Sequence, residues 1–177
     1  MLFHPESLTR FASGSPHLET MWNAIAEMAT WTRDALGQDR MDLLSVLPHR
    51  LVYDGMALVH ASPETTWRAP GPEASDEELV AAYSPLGKAI AVYGHIHRPF
   101  LRTIGALTVV NAGSVGLPYD GDRRASYLLI NDGAPEIRRV EYHVEREIEA
   151  VMACGMPHAN WVARMLADAA PSVISNQ

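Results

Sequence analysis

The chain has 177 residues, 47% of them apolar and 20% charged, which is the size and balance of one compact domain and excludes a mainly disordered chain. Fourteen Lys and Arg stand against 21 Asp and Glu, a formal net charge of −7, which disfavours nucleic-acid backbones and anionic lipid as partners. No apolar run approaches the roughly 20 residues of a membrane-spanning helix, and the N-terminus lacks a secretory pattern, so the expected setting is the cytoplasm.

Residues 1–18, with Pro5, Gly14 and Pro16 among polar residues, read as an irregular entry segment. From Glu19 to Leu36 the apolar positions Trp22, Ile25, Met28 or Ala29, and Leu36 recur at helical spacing, and Gly37 supplies a stop. A shorter helical stretch, Arg40 to Leu47, ends before Pro48. Leu51-Val52-Tyr53 and Met56 to His60 flank Asp54-Gly55, the two-residue signal of a hairpin. A loop rich in proline and glycine, residues 61–74, leads to Ser75, which with Glu78 has the capping-box spacing of a helix start.

Ala89 to Tyr93 is an uninterrupted apolar run, the mark of a strand covered on both faces. Phe100–Ile104 and Leu107–Asn111 flank Gly105 as a second hairpin, and a loop follows over residues 112–124. A third hairpin runs from Ser126 to Ile130 and from Ile137 to Val144, where Val140, Tyr142 and Val144 alternate with polar residues. Two helices separated by Gly155-Met156-Pro157 end the chain. The order of helices, then strands, then helices gives one α+β domain over residues 1–177, with a largely mixed or antiparallel sheet.

Chemistry gathers at strand ends. His95 and His97 follow the apolar run ending at Tyr93, with Gly94 expected to let the backbone turn tightly. Together with His60, at the end of an earlier strand, they offer three imidazoles suited to a borderline divalent ion such as Zn, Fe, Ni or Mn. The plain alternative is that each histidine only hydrogen-bonds at a polar strand end. Arg98 either reaches a substrate phosphate or is solvated. His4, His17, His49, His143 and His158 are expected to be exposed and unliganded. Cys154, the single cysteine, and Met21, Met28, Met152 and Met165 are expected to pack as buried apolar residues.

Three segments occur in order, each after a strand: Leu58-Val59-His60-Ala61-Ser62-Pro63, Tyr93-Gly94-His95-Ile96-His97-Arg98-Pro99 and Asn111-Ala112-Gly113-Ser114-Val115-Gly116. With Asp120-Gly121-Asp122-Arg123-Arg124-Ala125-Ser126-Tyr127, they resemble the second half of the calcineurin-like metallophosphoesterases. The likeness is to the small bacterial phosphodiesterase branch, whose motifs read LVHGSP, GHTH-x-P, NPGSVG and DGDPRASY, and it runs from about Trp31 to Val144. Ala61 for glycine and Ala112 for proline are departures.

The resemblance implies an αββα sandwich and a two-metal hydrolase of small phosphoesters, phosphodiesters or phosphomonoesters. It makes His60 and His95 ligands of one ion and His97 of the other. Asn111, Gly113 and Ser114 either support that site or merely form a tight turn.

The family's upstream Asp-x-His, Gly-Asp and Gly-Asn-His-Asp motifs do not precede His60. The expectation is therefore a domain without its N-terminal part, with no catalytic residue to assign and weak or absent activity alone. A non-catalytic role in metal or partner binding is the alternative. Missing strands beside the run ending at Tyr93 would leave a sheet edge open to self-association.

Overall fold

The computed structural model describes residues 18–174; nearly all of the expected entry segment, with His4 and His17, lies outside the described residues. In chain order the elements are α1 (Glu19–Leu36), α2 (Gln38–Ser45), β1 (Arg50–Tyr53), β2 (Met56–Val59), α3 (Asp76–Tyr83), β3 (Ile90–Tyr93), β4 (Phe100–Ile104), β5 (Leu107–Asn111), β6 (Ala125–Asn131), β7 (Ala134–Val140), α4 (Val144–Ala153) and α5 (Ala159–Asp168). This is the expected α+β class. The elements fall into two compact units, one carrying α1, α2, α4 and most of α5, the other spanning Pro48–His143 with Asp168–Ala170.

In the helical unit, Gly37 closes α1 by donating its N–H to Arg33 O (3.2 Å) and opens α2 by accepting from Met41 N (3.1 Å). Ala24, Ala29, Met41, Val144, Met165 and Leu166 are its buried apolar residues. His158, expected to be exposed, is half-buried, and its Nε2 lies 2.8 Å from Glu27 Oε2. Cys154 is exposed because it falls just beyond the end of α4, and Met152 near the same end is 54% exposed. Neither is the buried residue expected.

The alternation expected to carry a strand through Val144 stops at Val140. The ladder between β6 and β7 ends with Ala125 opposite Val140, so no partner backbone reaches further. Beyond it, Glu145 and Glu147 in the first turn of α4 complement the positive end of a helix.

The second unit is built on a five-stranded sheet of order β1-β2-β3-β5-β4, beside the two-stranded β6-β7 ribbon. The β2–β3 and β3–β5 pairs are parallel, whereas β1–β2 and β4–β5 are antiparallel hairpins. The run ending at Tyr93 is therefore the middle strand, with both edges paired, and not the open edge expected from the sequence. Its parallel partners β2 and β5 are supplied from within the chain, which explains its apolar character on both faces.

One face of the sheet is covered by α3 and the 3₁₀ turn Ser84–Leu86, where Leu79, Tyr83 and Leu86 pack with Ala57, Ala91, Tyr93 and Val109. Burial of each large side chain contributes about 1.5–3 kcal/mol. Ser75 and Glu78 form the expected capping box at the start of α3. Tyr83 and Tyr93 stack with ring centroids 4.8 Å apart. Their hydroxyls donate to Ala61 O (2.7 Å) and Pro70 O (2.6 Å), fastening both ends of the 61–74 loop to the core.

Candidate metal centre

Because β2, β3 and β5 are parallel, their C-terminal ends lie along one edge, the place where open α/β sheets bind ligands. The three sequence segments singled out above all begin there. Gly94 N donates to His60 O at 3.0 Å and Ala112 N to Tyr93 O at 3.2 Å, which ties each strand end to the next. Asn111, fully buried, donates from Nδ2 to Gly94 O (2.6 Å) and accepts Gly113 N on Oδ1 (2.9 Å). It is a brace for the loop carrying His95.

The tight turn is made differently from the expectation. Gly94 is absent from the residues with positive φ, whereas His95 (63°) and His97 (57°) both have it. Ile96 N donates to Gly94 O at 2.7 Å, so His95 sits at the centre of an i→i+2 turn with positive φ, a rare and strained form. Each such residue costs of order 1–3 kcal/mol, and the surrounding backbone bonds hold it there.

His60 Nε2 lies 3.2 Å from His95 Nδ1. His95 Nε2 is 3.1 Å from Trp67 O and His97 Nδ1 is 2.7 Å from Leu117 O. A carbonyl can only accept, so those two nitrogens carry the protons. That makes His95 Nδ1 the acceptor of the His60 Nε2–H bond and leaves His97 Nε2 with the free lone pair. The His97 ring also stacks on Tyr119, centroids 4.8 Å apart. Burial pushes the His60 and His97 imidazoles below their usual pKa; at His60 the neighbouring His95 and His97 add to this, and at His97 the Leu117 carbonyl opposes it in part. Both effects on balance favour the neutral, ligating form.

These features fit a divalent ion. Two imidazole nitrogens bound to one tetrahedral ion at ~2.0–2.1 Å would stand ~3.4 Å apart, close to the His60–His95 separation. A backbone carbonyl on the second ring nitrogen is the usual partner of a ligating histidine. The donor set is small, however: among the described residues no group of three or more His, Cys, Asp or Glu side chains is arranged to hold a metal. The structure brings His60 and His95 together and holds His97 nearby on its own carbonyl.

Arg98 is exposed and pairs with the exposed Glu73, its Nη1 3.2 Å from each carboxylate oxygen. His49 and His143 are exposed, as expected. Trp67, Leu117 and Tyr119 escaped the sequence reading because two of them act through carbonyls, which every residue has.

The calcineurin-like phosphoesterase superfamily domain matches residues 42–134, just over half of the chain. An uncharacterized protein of Methanocaldococcus jannaschii is 27% identical over 159 residues, covering 77% of this chain and 62% of its own length. A metallophosphoesterase from Sphaerobacter thermophilus has a similar structure, with a TM-score of 0.69 at 22% identity over 80% of this chain and 67% of that one. A hypothetical protein from Pyrococcus horikoshii gives 0.73 at 18% identity over 84% and 62%. The chain thus spans about three-fifths to two-thirds of the length of these relatives. With its strand-end motifs converging as described, the chain belongs to the calcineurin-like phosphoesterase superfamily.

Proposed function

We propose that this chain contributes part of a metal-dependent phosphoester hydrolysis centre, with His60, His95 and His97 as its metal ligands. The supporting observation is the tautomeric arrangement: the carbonyls of Trp67 and Leu117 fix protons on His95 Nε2 and His97 Nδ1, so the lone pairs lie on the opposite nitrogens, that of His95 directed at His60 Nε2 at 3.2 Å, where an ion would replace the shared proton. Mn, Fe, Zn and Ni all suit such imidazoles. Such an ion, when bound, lowers the pKa of water and polarises a phosphoryl oxygen.

The chain's own contribution is orientation. The Tyr83 and Tyr93 hydroxyls anchor the 61–74 loop, which presents the Trp67 carbonyl, and Asn111 braces the turn that aims His95. The substrate expected is a small phosphoester, diester or monoester, in a cytoplasmic setting; no helix among the described residues is long and apolar enough to cross a membrane. The sparse donor set favours weak metal binding and little or no turnover by this chain alone. It equally supports a second reading, a non-catalytic domain that binds metal.

Calorimetric titration with Zn²⁺ and Mn²⁺, alongside turnover of a chromogenic phosphodiester, tests both readings. Binding that is lost in His95→Ala supports the metal centre. Unchanged binding in His95→Ala removes it, and rapid turnover dependent on His95 would overturn the expectation of little activity.

A further inference from the structure

Among the described residues β1 is an edge strand, and apart from its short length and Arg50 it lacks the usual guards against pairing. Arg50–Tyr53 contains no proline or lysine, its register against β2 runs without a bulge, and Leu51, Val52 and Tyr53 are 52%, 46% and 68% exposed. The opposite edge, β4, is different. There Arg102 reaches across to donate to Ala74 O and Pro72 O, both at 2.6 Å.

The hairpin geometry shows which β1 backbone groups are free. Asp54 (φ 42°) and Gly55 (φ 79°) form a two-residue turn, so the flanking Tyr53 and Met56 are a hydrogen-bonded pair. Bonded pairs alternate along an antiparallel ladder, which makes Leu51 and Leu58 the next one. The N–H and C=O groups of Arg50 and Val52 consequently face outward.

We propose that two copies of this chain associate through β1, antiparallel about a two-fold axis, with Val52 opposite the partner's Val52. This register lets the outward groups of the two Val52 residues bond each other. It places Leu51 opposite the partner's Tyr53 as a non-hydrogen-bonded pair, the kind whose side chains approach most closely. It also sets the Arg50 side chain against that of the partner's Asp54, and the symmetry repeats this opposite-charge contact. A parallel arrangement would bring like charges together instead.

Leu51 and Tyr53 line a mainly apolar cavity of about 530 Å³ with Leu58, Val92, Leu128 and Ile130. The pairing extends that apolar surface across the axis, which supplies burial beyond four residues of ladder.

Light scattering on the size-fractionated full chain, over a concentration series, tests the proposal independently of any metal or activity. The expected mass rises with concentration to twice the 19.4 kDa of the chain. Val52→Pro removes one outward N–H without touching the β1–β2 ladder and should halve the mass. Arg50→Glu and Asp54→Arg should each do the same, and the double swap should restore the dimer, with circular dichroism confirming folding throughout. A wild-type monomer at every concentration, an assembly larger than two, a dimer that survives Val52→Pro, or a double swap that stays monomeric would each overturn it.

Discussion

The Asn111 amide donates to the Gly94 carbonyl at 2.6 Å while its oxygen accepts the Gly113 N–H. One buried side chain thereby joins the end of β5 to the turn that carries His95 and His97. Asn111→Leu keeps the volume but leaves the Gly113 N–H without its partner, at about 1–3 kcal/mol, while Gly94 O keeps only the Ile96 N–H. The expected loss is about 1–3 kcal/mol by urea denaturation, with weaker Zn²⁺ binding in whatever fraction remains folded. A loss below 1 kcal/mol would mean that water replaces the amide and that the brace is dispensable.

Gly113 and Gly105 separate backbone strain from crowding. Both have positive φ, 75° and 58°. A Cβ on Gly113 would meet Ser126 Oγ at 2.7 Å and Pro99 Cβ at 2.9 Å, whereas one on Gly105 would meet nothing within 4 Å. Gly105→Ala should therefore cost about 1–2 kcal/mol, the left-handed penalty alone. Gly113→Ala should cost at least about 2 kcal/mol more, since overpacking adds to it. Equal effects in a thermal or chemical melt would show that the Ser126 side chain yields freely.

Local signals in the sequence carried much of the architecture. Asp54-Gly55 announced the β1–β2 hairpin, Ser75 with Glu78 the start of α3, and the three strand-end segments the place of the site. What escaped depends on contacts distant in sequence. An apolar run such as Ile90–Tyr93 reports burial on both faces but not its neighbours, so the sequence does not reveal its central position between β2 and β5. Glycine is the usual residue for a tight turn, which points to Gly94, yet the positive φ falls on His95 and His97, where the i→i+2 bond and the carbonyls of Trp67 and Leu117 hold it. Cys154 looked buried by helical spacing; α4 ends one residue before it.

If the positive φ of His95 is imposed by the site, relieving it should be measurable. His95→Ala and His95→Gly remove the same imidazole and the same hydrogen bond to Trp67 O, but only glycine adopts φ near 63° without penalty. His95→Gly should be the more stable of the two by about 1 kcal/mol. Neither should bind Zn²⁺ as wild type does. Equal stability of the two variants would indicate that the turn relaxes once the imidazole is gone.

The tyrosine pair under the site gives an alkaline limit. Burial raises the Tyr93 phenol from 10.0 to about 12, and burial followed by the proximity of Tyr93 raises Tyr83 further. The folded chain thus holds these protons more tightly than the unfolded chain does. The stability they contribute is fully present below pH 10 and is lost as pH rises from there through the folded-state values. Denaturant melts should show a constant midpoint from pH 8 to about 10 and a steady fall above it. In Tyr93→Phe, which lacks the hydroxyl bond to Pro70 O, stability should start lower at pH 8 and fall less steeply above pH 10. The two curves should converge toward pH 12; parallel curves across that window would show that Tyr93 does not govern the alkaline limit.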